Sequence, residues 1–232
     1  MKTTFKLDPH VHTDESSGCG QIPAAILVER YKTMGYDGII ITDHLHEGFA
    51  AGVKASDHWT ACIDAFLKGY RTAKKKGKAL GLTVLLGAEL RFTQSKGEDF
   101  LLYGINEDFL YNHPHLYEGT PADFFHKYGD ELLLIQAHPF RGWGKAVSPQ
   151  IIHGVEIYNT NPRHNNRNEK AQALCEKHPH LLPLCGSDTH QNDDLGKTGI
   201  QFNEVVGDNQ TFCRLLKLRE YELLHESSRR RG

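Results

Sequence analysis

Long apolar runs are missing from this chain of 232 residues. None approaches the ~20 consecutive residues that a membrane-spanning helix needs. The opening Met1-Lys2-Thr3-Thr4-Phe5 lacks the apolar centre of a secretory signal, so the expectation is a cytoplasmic protein with no membrane partner. Cysteine is scarce and scattered: Cys19, Cys62, Cys175, Cys185 and Cys213 are odd in number and form no Cys-x-x-Cys pair. That argues against a disulfide framework or zinc ribbon and for reduced thiols. Charge of one sign is also lacking. A formal net charge of -2 gives no whole-protein attraction to nucleic acid or membrane, although a local basic pocket stays open. No internal repeat, low-complexity linker or composition break marks a second domain or a dedicated nucleic-acid module. The expectation is one domain over residues 1–232, with a core from about 5 to 220 and a short, solvated basic tail at Arg229-Arg230-Arg231.

Histidine is what the chain has in excess, with fifteen residues. Two of them stand in Asp8-Pro9-His10-Val11-His12-Thr13. On an extended strand, residues two apart share a side, so His10 and His12 project together and form half of a metal site. Alone the pair is weak, since two surface histidines would read the same way. Further along, short apolar runs alternate with helical patterns. Leu27, Tyr31 and Met34 recur at helical spacing, as do Trp59, Ile63, Phe66 and Tyr70, and Pro121 to Tyr128 reads as a short helix. The basic end of the second helix (Arg71, Lys74, Lys75, Lys76) fits cations at a helix C-terminus better than a nucleic-acid patch. Apolar runs at 38–42, 83–88, 100–105, 132–137, 155–159, 181–186 and 199–206 read as strands, and an amphipathic helix through Phe212, Leu215, Leu216 and Arg219 closes the chain. Five of the runs end in ligand-type residues: His10/His12, Asp43-His44, Glu89, His138 and Asp188/His190. A β/α barrel builds its active site at the C-terminal ends of its strands, so this coincidence favours a barrel over an open doubly wound sheet.

The ordered set His-x-His-Thr, Ile-Thr-Asp-His, Gly-Ala-Glu, Ala-His-Pro and Gly-Ser-Asp-Thr-His resembles the PHP (polymerase and histidinol phosphatase) superfamily from Asp8 to about Thr198. The resemblance implies an α/β fold, a distorted seven-stranded (β/α)7 TIM-like barrel. It also implies two or three divalent metal ions (Mn, Fe, Zn or Mg) and hydrolysis of phosphate esters. By the same resemblance His10, His12, Glu89 and Asp188 would hold one ion, Glu89 would bridge to a second shared with His138, and His44 and His190 would belong to a third. Two positions depart from the family pattern. Asp99 falls where many relatives have histidine, which would favour harder ions. In Thr13-Asp14-Glu15-Ser16-Ser17-Gly18 the usual acid or histidine slot falls on Ser17 or Gly18, with Glu15 as the candidate replacement and Asp14 behind it.

Clustered ions lower the pKa of a shared water, so no serine or cysteine nucleophile is required. Asp188 and His190 are the candidates for handling protons. Arg141 and Arg163 are the candidates for forking onto phosphate, while Arg91 follows Glu89 by two and Arg167 can face solvent. Asp43 is expected to orient a ligand by hydrogen bonding. Glu156 reads either as a polar core residue or as a substrate contact, and His46 is the remaining histidine expected to approach the pocket. The expected activity is release of phosphate from a small phosphorylated substrate. Its competitors are a nuclease or nucleotide phosphatase, an amidohydrolase-type hydrolase, and a non-catalytic barrel that binds metal or phosphate.

Overall fold

A computed structural model describes residues 4–53 and 58–225; the Arg229-Arg230-Arg231 tail lies outside them. Strand β1 (Phe5–Val11) leads through a loop to helix α1 (Ala24–Thr33) and strand β2 (Gly38–Ile41). A short β3 (His44–His46) and α2 (Glu47–Ala51) precede the long helix α3 (His58–Leu80). Then come β4 (Thr83–Leu86), β5 (Ala88–Arg91), β6 (Phe100–Tyr103), α4 (Glu107–Asn112), α5 (Pro121–Tyr128) and β7 (Leu133–Gln136). The chain continues through β8 (Gly154–Asn159), α6 (Asn168–Lys177), β9 (Leu182–Gly186), β10 (Gly199–Phe202), α7 (Asn209–Leu218) and β11 (Tyr221–Leu224).

The helices follow their patterns. Leu27 and Tyr31 are buried in α1, whereas Met34 lies past its last turn and is exposed. Trp59, Ile63, Phe66 and Tyr70 form the buried face of α3. Of the cations at its end, Arg71 pairs with Asp64 and Glu107, and Lys76 with Glu29. Thr120 and Asp123 close a reciprocal capping box on α5. All five cysteines are free.

The sheet departs from expectation. The strands form two sheets, ordered β11-β10-β1-β2-β4 and β3-β5-β6-β7-β8-β9, and no closed seven-stranded barrel is present among the described residues. One isolated parallel bridge, Val11 with Thr189, links the central strand β1 of the first sheet to the chain just after β9, an edge strand of the second. Several pairings are antiparallel (β1 with β10, β10 with β11, β5 with β6, β6 with β7), so the strict β/α alternation of a closed barrel is broken. The apolar run at 83–88 is split at Gly87, where the chain passes from one sheet to the other. A Cβ there would stand 2.9 Å from Thr42 Cγ2 and 3.0 Å from Ile40 Cγ2, so only glycine lets the crossing chain lie this close to β2. The closing strand β11 has no pattern strong enough to announce it.

Two apolar clusters follow. The larger lies between strands and helices; the second lies between the sheets, from Phe5, Leu7, Ile40, Leu85, Leu101, Leu133, Ile135, Leu184, Ile200 and Phe202, and α7 covers it with Phe212, Leu215 and Leu216. On β1 the alternation that sends Phe5 and Leu7 into this inner core would also send Pro9 and Val11 there. A register shift between Asp8 and Val11 reverses the phase, so Val11 joins the outer cluster. His10 and His12 thereby come to lie beside Glu89 and Asp188.

Candidate metal centre

The C-terminal ends of β1, β7 and β9, together with β3 and β5, deliver their side chains to one buried cluster. Ligand-type atoms group as His10, His12, Glu89 and Asp188; as Glu89, Asp99 and His138; and as His12, His44 and His190, each group within 4.8 Å. Thus His10, His12, His44, Glu89, Asp99, His138, Asp188 and His190 are brought together, with Glu89 and His12 shared. His10 Nε2 and His12 Nε2 stand 3.0 Å apart. Glu89 Oε2 lies 3.4 Å from the first and 3.2 Å from the second, and Glu89 Oε1 is 2.9 Å from His138 Nε2. His44 Nδ1 is 3.2 Å from Glu89 Oε2.

Glu15 is the sequence candidate that does not join. Its carboxylate accepts the Ala24 N–H at 2.9 and 3.1 Å, capping the first turn of α1, whose own N-cap is a proline with no side-chain oxygen to offer. Ser17 occupies the space instead. Its Oγ donates to Asp43 Oδ1 (2.7 Å) and accepts from the His44 N–H (3.2 Å), with His12 Nδ1 at 3.3 Å. That exhausts one donor and two lone pairs if His12 carries its proton on Nδ1, which leaves Nε2 facing the cluster. Asp43, held also by Thr13 N–H and Oγ1 at 2.7 Å each, therefore orients His12 through Ser17. His46 turns away: its Nδ1 accepts the Phe49 N–H and caps α2.

Glu156, open to two readings in the sequence, is fully committed to the site's framework. Oε1 accepts from His10 Nδ1 (2.8 Å), and Oε2 accepts the His138 N–H (3.0 Å) and Asn159 Nδ2 (2.9 Å). The facing Gly186 makes room: a Cβ there would fall 2.5 Å from Glu156 Oε1 and 2.6 Å from His10 Cβ. His138 and Asp188 both sit in the left-handed backbone region, with φ of 25° and 55°. Such conformations cost about 1–3 kcal/mol in a non-glycine residue and persist only where neighbours hold them. The Asp188 N–H is held by the His10 carbonyl (2.9 Å), and its carbonyl accepts from His190 Nδ1 (2.9 Å) and Asn161 Nδ2 (3.2 Å). The sequence signal for this framework is a lone acid inside an apolar strand and the asparagine-rich stretch after it.

The electrostatics are those of a site that wants positive charge. Burial opposes ionisation of Glu89 and Asp188, yet the surrounding imidazoles hold both well below the usual carboxylate range, helped at Asp188 by Arg141. Burial likewise opposes charge on His10 and His12, but the carboxylates prevail, holding His10 well above its ordinary value and His12 at about 9. His44 and His190 are pushed down, chiefly by burial, to about 3 and about 4, so they stay neutral. Glu156, Asp188 and Glu89 thus favour the proton on His10, and Asp188 and Glu89 that on His12, protons that a divalent cation would displace. Asp188 Oδ1 gives a second indication. It is buried without a hydrogen-bond partner, although His10, His12 and His190 nitrogens lie 3.3–3.4 Å away. The donor set of imidazoles and carboxylates fits divalent metal ions.

A cleft of about 630 Å³ opens over the cluster, and Arg91, Arg141, Arg163, His164, Gln191 and Cys19 are among its lining residues. Arg141 donates from Nε to Asn166 (2.8 Å) and from one terminal nitrogen to Asn159 (3.1 Å) and to Asp188 Oδ2. Arg163 donates to both oxygens of the buried Asp194 (2.6 and 2.8 Å), which also accepts the His190 N–H. Arg91 forks onto Asp99. Arg167 precedes α6 and is half-buried, away from the cleft lining.

A family model described as PHP domain matches residues 8–218. No curated protein sequence matches the chain. Among solved structures, a two-domain protein from Bacteroides vulgatus, described as containing a predicted PHP-like metal-dependent phosphoesterase, superposes with a TM-score of 0.69 at 18% identity. The match covers 96% of this chain and 65% of that one, so the chain spans about two-thirds of that protein's length. PsfC from Pseudomonas syringae gives a TM-score of 0.63 at 18% identity over 97% of this chain and 93% of its own. A protein from Chromobacterium violaceum described as an amidohydrolase with bound sulfate and no metal gives 0.55 at 13% identity over 96% and 99%. At these identities the likeness is one of fold.

Proposed function

We propose, for a chain that belongs to the PHP domain family, that it is a metal-dependent phosphoesterase releasing phosphate from a small monoester. The observation that supports this most is Asp188 Oδ1, buried and unbonded among His10, His12 and Glu89. His10, His12, Glu89 and Asp188 would hold one ion; Glu89, Asp99 and His138 a second; and His44, His190 and His12 a third. Such ions, when bound, supply Lewis acidity at phosphoryl oxygens and a water of lowered pKa. Arg141, anchored by Asn159, Asn166 and Asp188, and Arg163, anchored by Asp194, are oriented before a phosphate arrives, which favours planar recognition of its oxygens. We assign proton handling to His190 and Asp188. His190 is neutral at pH 7, because burial and the nearby His12 depress it to about 4. The cleft volume falls within the ~300–1,000 Å³ typical of small-molecule sites, which supports a small substrate over an oligonucleotide.

The test pairs metal analysis with turnover of a phosphomonoester panel that also holds a 5′-phosphorylated oligonucleotide and an amide. His12→Ala and Asp188→Ala should each lower phosphomonoester turnover by roughly 10³-fold or more, the loss of several kcal/mol of charge stabilisation. Unaltered turnover in both variants sinks the mechanism. Preferred cleavage of the oligonucleotide or the amide would move the assignment to those reactions, and less than one ion per chain in metal-replete buffer favours a non-catalytic barrel.

A further inference from the structure

Among the three groups, Asp99 is the carboxylate with both oxygens held by a guanidinium; Arg141 reaches Asp188 through Oδ2 and leaves Oδ1 without a partner. Arg91 Nε donates to Asp99 Oδ1 at 2.8 Å, and its terminal nitrogen donates to Oδ2 at 2.9 Å, so both oxygens are held in one planar fork. Asp99 has little freedom to answer otherwise. Its side chain is 8% exposed, and its carbonyl accepts the Ala137 N–H at 3.0 Å, which fixes its backbone one residue from His138. Arg91, by contrast, is 47% exposed and lines the cleft.

We propose that Arg91 competes with a divalent ion for Asp99 and, once displaced, turns into the cleft as a phosphate donor. The inference rests on the metal reading of Glu89, Asp99 and His138. A guanidinium and a dication repel one another across a shared carboxylate, and the fork already engages both Asp99 oxygens. The more mobile cation is the one that leaves. Arg91 then joins Arg141 and Arg163 along the same lining, so the second ion's arrival releases a third phosphate-binding arginine. In the His10/His12/Glu89/Asp188 group Arg141 takes Asp188 Oδ2 alone, which leaves Oδ1 and Glu89 open to an ion, so this group fills first.

Titration with Mn²⁺ alone, followed by calorimetry and by ion counting after gel filtration, reads this without any turnover, so failure of the phosphoesterase assignment would leave it intact. Wild type should bind one ion tightly and a second weakly; in Arg91→Met the second should tighten by about tenfold or more while the first is unchanged. Asp99→Asn should lose the second step and keep the first, which also reports that the fold survives. A second ion that binds Arg91→Met no better than wild type overturns the competition and makes Arg91 a fixed support of Asp99. Inorganic phosphate should bind the Mn²⁺-saturated wild type at least several-fold more tightly than Mn²⁺-saturated Arg91→Met; equal affinities overturn the transfer into the cleft.

Discussion

Leu85 and Glu89 lie four residues apart on either side of the Gly87 crossing, and both are buried between the sheets. Leu85 packs against apolar neighbours and needs nothing more. Glu89 meets four imidazoles. The same contrast separates Leu7 from His10 on the first strand and Leu184 from Asp188 after the ninth. The lower layer between the sheets is sealed by α7, whereas the upper layer opens to the cleft. Apolar side chains satisfy each other at any orientation, so the lower layer is set by volume and phase alone. Buried charges need specific partners, and so the upper layer carries the framework of Asp43, Ser17, Glu156 and Asn159 that positions each ring.

The two layers should therefore fail differently. Removing bound ions with a chelator should lower stability by about 4 kcal/mol if they were present near a thousandfold over Kd, read as a fall in Tm that Mn²⁺ reverses. A Tm indifferent to chelator would mean the upper layer binds no ion. Leu133→Ala, at a fully buried position of the lower layer, should cost about 2–5 kcal/mol in denaturant unfolding and leave ion stoichiometry untouched. Coupled loss of ions would show that the layers are not independent. Glu156→Gln should weaken ion binding roughly 10–100-fold with little change in the lower layer, because a single amide oxygen cannot replace both the acceptor of His10 Nδ1 and that of the His138 N–H. Native affinity in that variant would reduce Glu156 to packing.

The smallest effect lies outside both layers. His153 is held neutral: Nδ1 accepts the Leu134 N–H at 3.0 Å and Nε2 donates to the Gly129 carbonyl at 2.8 Å, and its pKa is lowered chiefly by burial. The unfolded chain then takes up this proton first, so the contribution is complete above about pH 6.5 and is lost as pH falls through and below it. Between pH 7 and pH 5 the fall in stability should be smaller in His153→Gln, by roughly 1 kcal/mol or less for a partly exposed group. An identical slope would remove His153 from the pH response.

Much of the centre is legible in the sequence. His10/His12 and Asp188/His190 can be paired because a two-residue spacing shares a side in extended chain, and His44, Glu89 and His138 stand out because each follows an apolar run. Glu15 misleads for a physical reason. An acid near the pair looks the same whether it meets an ion or a bare helix N-terminus, and the proline that leaves α1 without a side-chain cap decides in favour of the helix. Asp43 is expected from the sequence as a positioning residue, and its contact with His12 runs through Ser17, a loop geometry that spacing does not encode.

Local periodicity is enough to mark which residues could hold ions, the alternation of strands and helices, and the apolar faces of α1, α3 and α7, because each of these is written within a few turns or one strand of chain. It is not enough to divide the strands into two sheets, to place the register shift that turns His10 and His12 inward, to make Glu156 serve His10 and His138 together, or to set Arg91 on Asp99. Those came only with the fold in three dimensions. Each depends on backbone pairing or on a contact between distant residues, where one shift of register changes which side chains meet.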